Sequence, residues 1–189
     1  SEAEWRAVAG LIEAEFGRLD ILVNSAGIAI SDSVGDTDLT NYHKTFAVNV
    51  EGTLLGMQVA LEFMRKQGKG SIVNLASTAS LKGNPIMASY GASKATVAHF
   101  TRSAALQNAR TQNDIRINAV LPGLVETSMA GDFYDIFEKI GSPDAVRGAF
   151  TTGRSARAEE IADVILFLAS DRASFVSGAS IVVDRAASA

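Results

Sequence analysis

Cysteine, clustered histidine and long apolar runs are all missing from this sequence of 189 residues. The absence of cysteine excludes disulfide bonds and thiolate metal sites, and it is consistent with a reducing compartment. The two histidines, His43 and His99, lie far apart without a ligand-spaced cluster, so we expect no metal site. No run reaches the roughly 18 apolar residues of a membrane-spanning helix, and the first residues lack a signal peptide's basic start. These absences predict a cytoplasmic globular protein that does not bind a membrane.

A concentration of positive charge is also missing. The 17 lysines and arginines are dispersed and outnumbered by 21 acidic residues, for a formal net charge of −4, so we expect no nucleic acid partner. Hydrophobic residues make up 47% of the chain and charged residues 20%, a balance that allows a buried core. The length is within the range of one domain, and we interpret residues 1–189 as a single domain.

Short apolar runs alternate with longer helical patterns along the chain. The runs show little polar alternation, which is typical of parallel strands covered on both faces; they are residues 20–27, 70–77, 114–123 and 177–184. The helical patterns lie at residues 3–16, 38–66, 88–110 and 158–170. This alternation predicts an α/β fold with a Rossmann-like, doubly wound parallel sheet.

One long connection, residues 124–157, separates the third predicted strand from the last predicted helix. It could be an ordinary helical excursion or a flap over a substrate site. Its place after a strand's carboxyl end favours the flap. In that case the apolar side chains around Phe133, Tyr134 and Phe137 would line an apolar substrate.

The stretch "YGASK" places Tyr90 and Lys94 four residues apart, on one face if the segment is helical. The pair could be an ordinary surface contact. Alternatively, the ammonium could favour the phenolate and lower the phenol's pKa from its usual value of about 10. A tyrosine with such a pKa can pass a proton to or from an alcohol oxygen.

Other candidate residues follow predicted strands or interrupt a predicted helix. Ser77 ends the second strand, at the edge where doubly wound sheets bind ligands. Asn49 lies inside a long helical pattern, where asparagine is a poor helix former and a satisfied core amide is, for this residue alone, the favoured explanation. Asn24 and the Pro122–Gly123 pair end the first and third strands, where turn chemistry alone would account for them.

Taken together and in order, these elements resemble the short-chain dehydrogenases/reductases. The matching segments span residues 5–184; they are "ILVNSAG", "FAVNVEGT", "GSIVNLAST", "ASYGASKAT", "IRINAVLPGLVETSM" and "AEEIADVILFLASD". The resemblance implies an NAD(P)-dependent oxidoreductase that interconverts a secondary alcohol and a ketone. Enoyl reductases of related fold have six residues between this tyrosine and lysine, whereas this chain has three, which favours carbonyl over double-bond reduction.

The resemblance also implies roles for individual residues. Tyr90 would be the general acid/base, and Lys94 would lower its pKa and hydrogen-bond the nicotinamide ribose. Ser77 would hold the substrate oxygen near Tyr90, and Asn49 would support a water that links Lys94 to solvent. The cofactor, NAD or NADP, would further contact Asn24, Ser25, Ala26, Gly27, Pro122, Gly123, Val125 and Thr127.

The chain departs from the family at its front, because no turn resembling T-G-x-x-x-G-x-G is present. The chain then corresponds to the C-terminal three-quarters of the fold, without its N-terminal strands. We therefore expect it to be part of a longer protein, and we expect the strand carrying "DILV" to form an exposed edge. The alternative function is a truncated, non-catalytic relative that acts as a subunit or binding partner.

The ending "VVDRAASA" replaces the family's usual Asp-Gly-Gly, and the whole pattern is most similar to members that act on cyclic or steroid-like secondary alcohols. The helical segment "GTLLGMQVALEFMRK" is apolar around much of its circumference. It could be buried within one subunit, but the resemblance favours a homo-oligomer, a dimer or a homotetramer.

Overall fold

A computed structural model describes residues 1–127, 129 and 154–189. Its helices are α1 (Glu2–Phe16), α2 (Leu39–Phe46), α3 (Gly52–Gln67), α4 (Ala88–Ala109) and α5 (Ala158–Ala169). Its strands are β1 (Ile21–Asn24), β2 (Lys69–Leu75), β3 (Asp114–Pro122) and β4 (Ser180–Val183). Each strand falls within one of the four apolar runs, apart from one residue at the start of β2.

The four strands form one parallel sheet in the order β1-β2-β3-β4. Because all strands run the same way, their carboxyl ends meet at one edge of the sheet. β2 and β3 are buried along almost their whole length, which explains their uninterrupted apolar character. The predicted Rossmann-like, doubly wound class is confirmed.

Helices cover both faces of this sheet. On one face, α3 and α4 pack against β2 and β3 through a cluster that includes Met64, Ile72 and Ile117. On the other face, α5 packs through Ile161 and Leu168 against the same two strands. Within the part of the chain that the structure describes, the segments that follow the strands meet at the carboxyl edge of the sheet.

β1 forms an edge of the described sheet, as predicted. Its side chains Ile21 and Val23 are 48% and 39% exposed, although isoleucine and valine are typical of covered strands. α1 packs beside α3 but has no fully buried residue, and its apolar Val8 and Phe16 are exposed. This side of the molecule therefore presents apolar surface next to an unpaired strand edge.

No helix in the described part of the chain is both long and apolar enough to span a membrane. The predicted flap lies mostly outside the described residues, and so do Phe133, Tyr134 and Phe137. Its proposed substrate contacts stay predictions.

Candidate active site

Ser77 and Tyr90 meet at the carboxyl edge of the sheet. Ser77 lies two residues beyond β2 and begins a short 3₁₀ turn, where its Oγ accepts a hydrogen bond from the Ala79 amide at 3.1 Å. Tyr90 lies in the first turn of α4 and is only 9% exposed. The two side chains lie close enough that the Ser77 hydroxyl acts to lower the pKa of the Tyr90 phenol. Two hydroxyls are thus paired beside the place where a ligand of this fold class would bind.

The pKa of Tyr90 is raised above its ordinary value. Burial is the main cause, because it disfavours the charged phenolate, and the Ser77 hydroxyl opposes it. The predicted lowering of this pKa by Lys94 stays a prediction. The Lys94 Nζ lies 5.8 Å from the centre of the Tyr90 ring and makes its hydrogen bond elsewhere.

Lys94 is 5% exposed, an uncommon burial for a lysine. Its Nζ donates to the Leu75 carbonyl at 2.8 Å, at the last residue of β2. Burial lowers the pKa of Lys94 from 10.5 to about 8. The ammonium is therefore held at the sheet edge with an acceptor for one of its three N–H donors, within reach of the same region as Tyr90.

Asn49 lies in a π-helical turn, Ala47–Glu51, which joins α2 to α3. Such single π turns inside helices are frequent at functional sites. The Asn49 side chain is fully buried; its Oδ1 accepts from the Ile28 amide at 2.8 Å and its Nδ2 donates to the Ile28 carbonyl at 2.9 Å. The amide thus fixes the segment after β1 against the π turn.

Ser93 joins this amide to the helix that carries the tyrosine and lysine. Its Oγ accepts from Asn49 Nδ2 at 3.0 Å and donates to the Tyr90 carbonyl at 2.7 Å. Ser93 is fully buried, so both bonds are shielded from water. The structure therefore brings all four predicted catalytic residues, Asn49, Ser77, Tyr90 and Lys94, to one edge of the sheet. Their catalytic roles stay predictions.

Three more predicted cofactor contacts lie at the end of β1: Asn24 is its last residue, and Ser25 and Ala26 follow it. Asn24 donates from Nδ2 to Asn74 Oδ1 at 2.8 Å and to the Thr53 carbonyl at 3.4 Å, and it therefore braces β1 against β2 and α3. Ser25 and Ala26 are exposed on the segment that follows. These contacts give Asn24 a structural role, and the predicted cofactor contacts of Asn24, Ser25 and Ala26 stay predictions.

The segment after β3 runs alongside β4 and the start of α5. Gly123 donates its amide to the Val183 carbonyl at 3.1 Å, and a Cβ at Gly123 would lie 2.8 Å from Asp184 Cβ. Val125 pairs with Ala156 in an isolated parallel bridge. Pro122 is buried at the end of β3, and Thr127 is exposed. Glycine is therefore required at 123 by close approach of the neighbouring strand.

Comparison with known proteins decides the family. A family model described as Enoyl-(Acyl carrier protein) reductase matches residues 1–186. Cyclopentanol dehydrogenase of Comamonas sp. (strain NCIMB 9872) is 40% identical over 184 residues, 97% of this chain and 72% of that protein. The chain belongs to the short-chain dehydrogenases/reductases. It is therefore a member of a family of NAD(P)-dependent oxidoreductases, as the sequence predicted.

Two further short-chain dehydrogenases/reductases illustrate the similarity. The NADP-dependent (R)-specific alcohol dehydrogenase of Lentilactobacillus kefiri is 35% identical over 97% of this chain and 71% of its own length. The crystal structure of levodione reductase superposes with a TM-score of 0.91 at 31% identity, covering 100% of this chain and 74% of that one. The chain thus spans a little under three-quarters of these relatives.

Gly27 provides the structural test of whether this site fits the family's cofactor. A Cβ at this position would lie 3.2 Å from Lys94 Nζ and 3.3 Å from Asn49 Oδ1, which is tighter than ordinary contact. The absence of a side chain lets the backbone approach a buried cation and a buried amide. A cation at the carboxyl edge, bordered by a bare backbone, fits the hydroxyl groups of a nicotinamide ribose.

Ser93 and Asn74 are two residues of this region that no sequence pattern above singled out. The available signal for Ser93 was its position three residues after Tyr90, which places both on one helix face. Asn74 donates to Thr101 Oγ1 at 2.9 Å inside β2. An asparagine within an otherwise apolar strand was the available signal, because a buried amide needs partners.

In the described part of the chain, no three His, Asp or Glu side chains cluster closely enough to hold a metal ion.

Proposed function

We propose that this chain carries the catalytic residues of an enzyme that interconverts a secondary alcohol and a ketone, with Tyr90 as the proton donor and acceptor. The observation that carries the proposal is the meeting of the Ser77 hydroxyl and the buried Tyr90 phenol at the carboxyl edge of the sheet, where Ser77 acts to lower the pKa of Tyr90. Two hydroxyls so paired can both address one substrate oxygen. This arrangement suits a carbonyl or alcohol oxygen, which gains a proton when its C–O bond becomes single and loses one when that bond becomes double.

In the reducing direction, Tyr90 donates its phenolic proton to the carbonyl oxygen while Ser77 hydrogen-bonds that oxygen. The raised pKa of Tyr90 keeps the phenol protonated near neutral pH, which is the form that donates. In the oxidising direction, the phenolate accepts the alcohol proton. The charge of Lys94 would then stabilise the phenolate, provided that the solution pH is below the lysine pKa of about 8.

The nicotinamide cofactor, when bound, supplies or accepts the hydride. Lys94 would hold its ribose, and Gly27 leaves the room for that approach. Pro122, Gly123, Val125 and Thr127 would contact the nicotinamide end, and Asn24, Ser25 and Ala26 would border the adenosine side. Asn49 would support a water between Lys94 and solvent.

We further propose that the substrate is an apolar, cyclic secondary alcohol or its ketone. The name of one relative, cyclopentanol dehydrogenase, supports this class. The spacing of three residues between Tyr90 and Lys94 supports carbonyl chemistry over double-bond reduction, despite the enoyl reductase description of the matching family model. A cyclic ring without charge is also consistent with the apolar character predicted for the flap.

The test is the Tyr90→Phe variant, assayed with cyclopentanol and cyclohexanol in the presence of NAD⁺ or NADP⁺. We expect turnover to fall at least about 100-fold, since general acid/base catalysis contributes on that scale, while nucleotide binding measured by calorimetry stays within about twofold. Tyr42→Phe is the matched control, because Tyr42 stacks on Phe46 within α2 and is not one of the residues assigned to the site.

Each outcome has a distinct meaning. If Tyr90→Phe turns over as fast as the unaltered chain, the assignment of the acid/base is wrong. If the unaltered protein, in its full length, binds neither nucleotide, the non-catalytic alternative is correct. The nucleotide that supports faster turnover identifies the cofactor as NAD or NADP.

We also propose that copies of the chain assemble through the groove between α3 and α4. This open groove has a volume of about 800 Å³ and apolar side chains at its base, with a charged rim; the apolar residues are Leu54, Met57, Leu61, Phe100 and Ala104. Light scattering should show a dimer or tetramer, and Leu54→Lys should reduce it to smaller species. A monomer at micromolar concentration would contradict the proposal. The cytoplasmic location expected from the sequence stays a prediction.

A further inference from the structure

The helix that carries Tyr90 begins without a capping side chain of its own. The residue preceding α4 is Met87, whose side chain makes no capping hydrogen bond. The first amides of a helix have no partner within the helix, and an unpaired buried amide is costly. Something else must therefore hold the start of α4, which is two residues before the proposed proton donor.

Asp32 supplies that cap from a distant part of the chain. Its Oδ1 accepts a hydrogen bond from the Ser89 amide at 3.0 Å, and its Oδ2 accepts one from the Ser89 hydroxyl. Its backbone carbonyl accepts from the Ala88 amide at 3.4 Å. A carboxylate in this position also interacts favourably with the positive end of the helix dipole.

Asp32 is itself fixed in place by its neighbours. Its amide donates to the Ile86 carbonyl at 3.1 Å, and it pairs with Met87 in an isolated parallel bridge. The Thr37 hydroxyl donates to Asp32 Oδ2 at 3.2 Å. The carboxylate is therefore not a free surface charge, because bonds on both sides determine where it lies.

We propose that Asp32 is a positioning residue, which holds the first turn of α4 so that the Tyr90 hydroxyl meets Ser77. The inference rests on the proposed function, since it concerns the same proton donor. Tyr90 directly follows Ser89, so a shift or fraying of this turn displaces the phenol from Ser77. Ser77 is held by hydrogen bonds within its own turn after β2, from the Ala79 amide to Ser77 Oγ and from the Ser80 hydroxyl to the Ser77 carbonyl, and neither bond involves Asp32.

The experiment compares Asp32→Ala and Asp32→Asn with the unaltered protein at a temperature where all are folded. Asparagine can still accept the Ser89 amide but has no charge, whereas alanine removes the side-chain cap entirely. Because a misplacement of about 1 Å can cost about 100-fold in rate, we expect kcat to fall about 100-fold in Asp32→Ala and about 10-fold in Asp32→Asn. The KM for the nicotinamide nucleotide should stay within about twofold.

Asp36→Asn is the matched control. Asp36 lies in the same segment, is exposed, and accepts from the Ser33 hydroxyl at 3.1 Å, so the same loss of charge does not touch α4. Its kcat should equal that of the unaltered protein. If Asp32→Ala and Asp36→Asn retain the same kcat, the positioning role is wrong, whatever the effect of Asp32→Ala on stability.

A second readout does not depend on turnover. Tyrosinate absorbance is titrated in Asp32→Ala and in Asp32→Ala with Tyr90→Phe, and the difference between the two curves isolates Tyr90. The same difference between the unaltered protein and Tyr90→Phe is the reference. Since burial holds the pKa of Tyr90 up, displacement of the first turn should lower that pKa towards an exposed phenol's. An unchanged titration refutes the positioning role, even if the unaltered protein turns over no alcohol. A lowered pKa in a protein without turnover supports the positioning role and refutes the proposed function.

Discussion

Replacing Asn49 with alanine should destabilise the fold more than the same replacement of Asn108, an equally buried amide. The Asn49 side chain makes three hydrogen bonds, to both backbone groups of Ile28 and to Ser93 Oγ, at 2.8, 2.9 and 3.0 Å. Alanine leaves the Ile28 amide and carbonyl and the Ser93 hydroxyl without these partners. At about 1–3 kcal/mol for each buried group left unpaired, reduced because Ile28 is half-buried, we expect a loss of about 3 kcal/mol.

Asn108→Ala is the control, because Asn108 is equally buried but differently bonded. Its Nδ2 donates to the Ala104 carbonyl inside α4 at 2.8 Å, and its Oδ1 accepts from Arg65 at 3.4 Å. The carbonyl belongs to the helix ladder, and Arg65 is exposed and can turn to water. Truncation therefore leaves little unpaired, and we expect a loss of about 1 kcal/mol.

Equilibrium unfolding in urea measures the loss of unfolding free energy in both variants. The two values can be compared if the free energy falls with urea concentration at the same slope in each. A loss of about 3 kcal/mol is a large share of the roughly 5–15 kcal/mol that stabilises a typical domain, so the shift in midpoint should be plain. Equal destabilisation by the two variants would refute the idea that Asn49 fixes the segment after β1 to the π turn.

Two other substitutions test the burial of Lys94 and the close approach at Gly123. Burial lowers the pKa of Lys94 from 10.5 to about 8, so the charged lysine destabilises the folded state below pH 8, and this penalty fades as the pH rises from 8 to 10.5. Lys94→Met should therefore raise the free energy of unfolding by up to about 3 kcal/mol at pH 7 and by less at pH 10. The same substitution should weaken nucleotide binding. An equal change at both pH values would argue against the lowered pKa. Gly123→Ala should lower the free energy of unfolding in urea by about 1–3 kcal/mol, because the new Cβ would lie 2.8 Å from Asp184 Cβ. Gly35→Ala is the control and should be nearly neutral, because Gly35 has open space around it. Equal effects of the two substitutions would contradict the crowding at Gly123.

The sheet could be predicted from the sequence because burial on both faces leaves a direct record in the residues. β2 and β3 are covered on both sides, and their runs contain almost no alternation. The predicted helix at 88–110 matches α4 to within one residue at its end. By contrast, the helical pattern at 38–66 contains the π turn Ala47–Glu51. Its hydrogen bonds span one residue more than those of an α-helix, and no glycine or proline within the turn marks this change in the sequence.

The candidate site was predictable as a set of residues but not as a set of contacts. The spacing of Tyr90 and Lys94 indicated one helix face, yet the raised pKa of Tyr90 depends on burial by segments distant in sequence. The Asp32 cap joins residues 57 positions apart. Such contacts follow from the tertiary fold, and a local pattern contains no record of them.

A double-mutant cycle on Ser77 and Tyr90 tests the central claim most directly. If both hydroxyls act on one substrate oxygen, removal of either should disable most of the same step. The kcat of Ser77→Ala with Tyr90→Phe should then be close to that of the slower single variant, as is found when catalytic residues act as a unit. Losses that multiply across the two substitutions would show that the hydroxyls act independently and would contradict a shared oxygen.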